Sequence, residues 1–143
     1  MKKITLLTIV LFLLFFTQVS DSAVIGDTCK SFGMIVRNST GVPIRITGIR
    51  YYDYDVNRYR LYPILSKIVQ SGGGNSMNWT LFLPHVGDDE IHIKLIFRYG
   101  KQNWRGKYKF LGKRYYVKTE KFKCRSNGWK NISVTKSNAK RLK

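Results

Sequence analysis

The sequence predicts an all-β protein: an antiparallel β-sandwich or small barrel of seven to eight strands, closed by one disulfide. Three observations carry this expectation. Short segments with a two-residue apolar period recur at intervals of roughly 8–12 residues, separated by Gly, Asn, Ser and Pro turns. Two cysteines, Cys29 and Cys124, lie near the two ends of the patterned region. The N-terminus reads as an export signal, and an exported chain meets an oxidising compartment that pairs such cysteines.

The signal comprises a positive start, Lys2-Lys3, then an apolar run from Leu6 to Phe16 interrupted only by Thr8. Small residues at Ser20-Asp21-Ser22-Ala23 suit a signal peptidase, with cleavage after Ser22 or Ala23. The run is shorter than the roughly 20 residues a membrane-spanning helix needs, and no later segment approaches that length. The expected organisation is a cleaved segment over residues 1–22, one β domain over 23–135 and a disordered basic tail over 136–143. The expected location is secreted, by way of the periplasm if the source is a Gram-negative bacterium.

Strand elements follow in order. Phe32 to Val36 is densely apolar, and Asn38-Ser39-Thr40-Gly41 marks a turn. Val42-Pro43 opens a second strand, in which Ile44, Ile46 and Gly48 alternate with Arg45, Thr47 and Ile49. Residues 50–62 hold five tyrosines and three arginines around a loop suggested by Asp53, Asp55 and Asn57. Pro63 to Gln70 fits a strand or a short helix, and Gly72-Gly73-Gly74 lies in a loop without the ending of a phosphate-binding P-loop. Trp79 to Leu83 alternates again. Ile91, Ile93, Leu95, Phe97 and Tyr99 alternate with His92, Lys94, Ile96 and Arg98, the cleanest strand in the chain. Trp104 to Leu111 returns with Tyr108 and Phe110 expected inward and Lys107 and Lys109 outward. Arg114 to Cys124 needs a bulge near Thr119–Lys121 to place Tyr115, Val117, Phe122 and Cys124 together. Trp129 to Thr135 is the expected last strand.

Charge is strongly segregated. The formal net charge is +18, and loss of Lys2, Lys3 and Asp21 with the signal leaves +17. Residues 23–90 hold seven Lys/Arg and six Asp/Glu, whereas residues 91–143 hold seventeen Lys/Arg and one acid, Glu120. Solubility needs no such segregation; an anionic partner explains it. If the strands over 91–124 pair consecutively, Lys94, Arg98, Lys107, Lys109, Arg114 and Lys118 share one outward face. The tyrosine–arginine segment supplies Arg50, Arg58, Tyr52 and Tyr54 as further candidate headgroup contacts, because tyrosine lodges among lipid headgroups while arginine holds phosphate.

Other motifs carry less. His85, Asp88, Asp89, Glu90 and His92 match no metal-ligand spacing, and a polar turn before a strand accounts for them. No metal or cofactor is expected. Three Asn-X-Ser/Thr sequons stand at Asn38, Asn78 and Asn131.

The Lys2-Lys3 signal, the Cys29/Cys124 pair and the short β-rich mature chain together resemble small type II-secreted proteins of Gram-negative intracellular pathogens. The sandwich pattern with its Tyr/Arg-rich stretch resembles the lipid-headgroup-binding sandwiches of the actinoporin and aegerolysin type. The latter resemblance implies lipid binding. The mature start, Val24 to Cys29, leaves no room for the amphipathic helix of those pore formers, so binding is implied rather than pore formation. The expected function is therefore a secreted, non-enzymatic protein docking on anionic phospholipid or phosphoinositide headgroups, as a virulence factor if a pathogen exports it. Two alternatives stand beside it: a binder of other polyanions such as nucleic acid, lipopolysaccharide or acidic glycans, and a small secreted hydrolase or toxin using His85 and His92.

Overall fold

The computed structural model describes residues 29–53, 57–72, 76–83, 86 and 90–143. The signal segment, Tyr54, Gly73, Gly74, His85, Asp88 and Asp89 lie outside the described residues. In chain order the strands are β1 (Cys29–Asn38), β2 (Ile44–Asp53), β3 (Arg58–Tyr62), β4 (Lys67–Val69), β5 (Ser76–Leu83), β6 (Glu90–Ile91), β7 (Ile93–Gln102), β8 (Tyr108–Phe110), β9 (Tyr115–Lys118), β10 (Phe122–Lys123), β11 (Trp129–Val134) and β12 (Lys140–Arg141). The class is all-β, as the two-residue periods predict.

Two sheets face each other. One has the order β11-β1-β5; the other has the order β12-β9-β7-β2-β3, with β4 extending the β2 edge and β8 pairing with the far end of β7. A short β10–β6 ladder stands apart. The core lies between the sheets. Phe32, Met34 and Val36 of β1, Trp79, Leu81 and Leu83 of β5, and Ile132 and Val134 of β11 meet Ile44, Ile46, Ile49, Tyr51, Ile93, Leu95, Phe97 and Val117. Burying side chains of this size stabilises by about 1.5–3 kcal/mol each, which offsets the chain entropy and the charge repulsion.

The chain forms more and shorter strands than its sequence pattern predicts, for identifiable reasons. Arg114 to Cys124 is not one bulged strand. At Thr119 the chain leaves β7 after a last pair of contacts: the Thr119 amide donates to the Ile93 carbonyl at 2.9 Å, and the Thr119 hydroxyl accepts from the Ile93 amide at 2.9 Å. It then pairs afresh with β6, which lets Phe122 stack on Phe32. In β2 the register shifts between Ile46 and Gly48, so Ile49 is buried and Gly48 turns to the outer face, against simple alternation. The ladders are antiparallel except that β1 and β11 run parallel, which a long connection permits and a hairpin would not. The basic tail is also partly ordered: Lys140 and Arg141 pair with Tyr116 and Tyr115 and cover the β9 edge.

Cys29 and Cys124 form the expected disulfide, bridging a sequence separation of 95 with a Cα–Cα distance of 5.8 Å. It ties the first strand of one sheet to the segment that follows β10. On the β1–β11 ladder, Gly33 lies under the Trp129 indole; a Cβ there would stand 2.2 Å from the ring.

The turn after β1 is held from inside. Asn38 is buried, and its amide donates to the carbonyls of Val42 at 2.8 Å and Val69 at 2.9 Å. Its carbonyl accepts from the Thr40 amide and hydroxyl. The Asn38 side chain is thus committed to the fold, not presented to a glycan as the sequon suggests. Asn38→Ala removes the donor to the Val69 carbonyl and the acceptor of the Thr40 amide, while the Thr40 hydroxyl keeps the Val42 carbonyl at 2.8 Å. The expected cost is about 3 kcal/mol, read as a lower urea midpoint at unchanged m value; a loss under about 1 kcal/mol contradicts this account.

Candidate functional site

The outer face of the larger sheet collects cations by register. Arg50 of β2 stands opposite Lys94 of β7, and Lys94 stands opposite Lys118 of β9. Three positive side chains thus form a row across three neighbouring strands spaced about 4.8 Å apart. A second row, Arg45 opposite Arg98, lies four residues along β7. Like charges placed directly opposite destabilise a sheet. Among the described residues no carboxylate lies within ion-pair distance of these five; the ion pair found there is Arg60–Asp53, on the core-facing side.

Aromatic rings interleave with the rows. The Lys94 ammonium sits 3.7 Å from the Tyr59 ring centroid and 5.4 Å from that of Tyr116. The Arg45 guanidinium lies 4.1 Å over Phe110. Such contacts hold a cation without neutralising it. Tyr52 stacks on His92 at 5.3 Å, Tyr59 meets both edge-on, and the Tyr59 hydroxyl hydrogen-bonds His92 Nε2. His92 is 7 % exposed, and its Nδ1 is buried with no hydrogen-bond partner among the described residues, as is Arg98 Nε.

Burial holds the His92 imidazole below the ordinary histidine range, and Lys118, Lys94 and Lys121 push the same way. Lys94 is lowered by burial, then by Lys118 and Arg50. For His92 the unfolded chain therefore takes up the proton first as pH falls through about 6.5. Its contribution to stability is complete above that pH and declines below it. Urea midpoints measured from pH 7.5 to 5 should fall more steeply for the wild type than for His92→Phe; parallel curves contradict the burial of a neutral ring.

The second cationic feature is the β7–β8 hairpin. Residues 101–114 contain Lys101, Arg105, Lys107, Lys109, Lys113 and Arg114 and no acid. Its tip is a built turn. The Asn103 amide donates to the Lys107 carbonyl at 2.8 Å, and its side-chain oxygen accepts from the amides of Arg105 and Lys107. Gly106 takes φ 73°, a left-handed conformation that suits glycine. This turn holds Trp104 out in solvent, 86 % exposed, with the Arg105 guanidinium 4.4 Å from its ring. Tyr108 is exposed on the strand leaving the turn, and Leu111 is exposed at the hairpin base, where its amide donates to the Tyr99 carbonyl.

The structure sorts the sequence candidates. Arg50, Tyr52, Lys94, Arg98 and Lys118 come together on the outer face. Lys109 does not join them: it pairs with Lys101 on the opposite side of the ladder, while Phe110 takes the outer side opposite Gly100. The expected inward Tyr108 and Phe110 fail because β8 pairs only beyond Tyr99, where residues are exposed and there is little core to face. Lys107 belongs to the hairpin turn, and Arg114 is exposed just before β9. Arg58 stands opposite Asp53, on the side away from Tyr59 and the cation rows. Tyr54 lies outside the described residues. Trp104 and His92 are the residues that period-reading undervalued; an Asn-Trp-Arg-Gly turn between basic strands was the available signal for the first.

Among the described residues no three of His, Cys, Asp and Glu gather as metal ligands, and no helix is long and apolar enough to cross a membrane. A cleft of about 290 Å³ between β9 and β11 is lined by Lys118, Lys130, Thr119, Glu120 and Ser133.

The fold and these surfaces define an all-β, disulfide-linked sandwich with a cationic, aromatic exterior. No protein-family model, no curated protein and no solved structure matches the chain.

Proposed function

We propose that this is an exported, non-enzymatic protein that attaches peripherally to membranes bearing anionic lipid, with the β7–β8 hairpin as its contact. One observation carries the reading: a hydrogen-bonded turn holds Trp104 in water amid Lys101, Arg105, Lys107 and Lys109. Tryptophan favours the membrane–water interface, where its ring meets the acyl boundary and its N–H meets water. Each nearby cation contributes about 1 kcal/mol at an acidic surface. Exposed Tyr108, opposite Gln102 near the hairpin tip, adds a second amphipathic ring and favours lipid over a purely electrostatic polyanion.

The test is co-sedimentation with phosphatidylcholine vesicles containing or lacking phosphatidylserine. Binding should require the acidic lipid, weaken with salt, and fall about tenfold in Trp104→Ala. Heparin retention should change little in that variant, because the charges remain. Equal partitioning of Trp104→Ala and wild type contradicts the proposal; so does tight heparin binding with no response to acidic vesicles.

A further inference from the structure

At the other end of β7, eight residues and roughly 26 Å from Gln102, the outer face carries a second and differently built feature. We infer that Arg50, Lys94 and Lys118, backed by His92, form a binding site for a phosphomonoester, distinct from the membrane contact at the hairpin.

The register is the first argument. Three cations stand directly opposite one another on β2, β7 and β9 with no carboxylate within ion-pair distance among the described residues. Their repulsion works against the fold unless an anion relieves it. Their side chains are long enough to converge from neighbouring strands onto one group. The walls are the second argument. Tyr52, Tyr59 and Tyr116 border the row, and Lys94 rests over two of those rings rather than on an acid.

His92 is the third and independent argument. The Tyr59 hydroxyl bonds His92 Nε2, and with the phenol as donor the ring proton falls on Nδ1. Nδ1 is buried and has no hydrogen-bond partner among the described residues. Buried polar atoms are ordinarily satisfied, and this one lies where Lys118, Lys94 and Lys121 already create a positive potential. An anion supplies both the missing acceptor and the missing charge. The Lys94 ammonium, now over the Tyr59 ring, is the group that moves onto it.

A phosphomonoester fits this demand better than its competitors. Near neutral pH it carries close to two negative charges and three acceptor oxygens, enough for the Arg50 fork, two ammonium groups and the imidazole N–H. A carboxylate or phosphodiester brings one charge. The same chemistry occurs on a soluble metabolite and on a lipid headgroup, and the experiment separates them.

The disulfide-intact mature protein is titrated with glycerol 2-phosphate, and with dimethyl phosphate at matched ionic strength, while the histidine ring NMR signals are followed. The monoester should shift the His92 ring to saturation, and the diester should not. Lys94→Gln/Lys118→Gln should weaken the monoester at least tenfold, His92→Phe several-fold, and Trp104→Ala not at all. If the double variant does not fold, Lys118→Gln alone, at an exposed side chain, should still weaken binding measurably. In a parallel arm, vesicles carrying phosphatidylinositol 4-phosphate are compared with phosphatidylserine vesicles of equal charge. A preference for the former, lost in Lys94→Gln/Lys118→Gln, identifies the headgroup as the source; no preference alongside soluble binding identifies a free ligand. Absence of saturable binding in both arms overturns the inference, as does equal affinity for monoester and diester. The hairpin reading is untouched by that failure, since it is scored by Trp104→Ala on phosphatidylserine.

Discussion

Neutralising Lys101, Arg105, Lys107 and Lys109 together with glutamine should lower affinity for phosphatidylserine-containing vesicles by about a thousandfold near 0.1 M salt. At an acidic surface each cation is worth about 1 kcal/mol, so four give about 4 kcal/mol, and every 1.4 kcal/mol is a factor of ten. Lys101 and Lys109 face each other across the β7–β8 ladder, and Arg105 and Lys107 belong to the Asn103 turn, so all four are carried on one hairpin. The hairpin should survive the change, because its turn is held by Asn103 and Gly106 through backbone atoms of the substituted residues. Sedimentation across a salt series checks it. Wild-type binding should weaken steeply with salt, whereas the quadruple variant should show little further loss. A reduction of less than tenfold would assign the attraction to the sheet face instead.

Removing the disulfide has the largest expected effect on folding. Cys29→Ala/Cys124→Ala frees a loop of 95 residues, and chain-entropy reasoning puts the loss at about 4–5 kcal/mol. Small domains are stable by only about 5–15 kcal/mol, and this one also carries the repulsion of segregated charge. The variant should therefore lie close to its unfolding midpoint at room temperature in low salt, and added sulfate should recover part of the loss by screening. Urea or thermal unfolding of the double variant, followed by circular dichroism, reads this directly. A midpoint within error of the wild type would show that the sandwich core alone holds β1 against the rest.

Much of the fold was legible in the residues. The alternation from Ile91 to Tyr99 places Ile93, Leu95 and Phe97 in the core and Lys94 and Arg98 outside, as the structure has them. The pairing of Cys29 with Cys124 followed from count and context. The pattern misled where alternation breaks: at the Ile46–Gly48 register shift, which buries Ile49, and at Thr119, where one expected strand divides between two partners. It misled again at β8. Tyr108 and Phe110 look like core residues by composition, but the ladder there has run past most of the sandwich. Aromatics beyond the core become surface, and their lysine neighbours change sides.

The candidate surfaces divide in the same way. That residues 91–143 are strongly cationic is readable from composition alone. Which cations stand together is not, because Arg50, Lys94 and Lys118 are far apart in the chain and meet only through the β2–β7 and β7–β9 registers. His92 shows the same limit: in sequence it is an outward strand position just after a polar turn, and in space it is a buried ring between Tyr52 and Tyr59.

The sequence by itself determined the β class, the disulfide partners and the inward parity of the central strand, because a two-residue period is a local property of the chain. Only the tertiary structure decided the parallel β1–β11 pair, the position of β8 beyond Tyr99, and the rows of cations across strands. Those depend on strand register, which non-local pairing sets and local pattern does not specify.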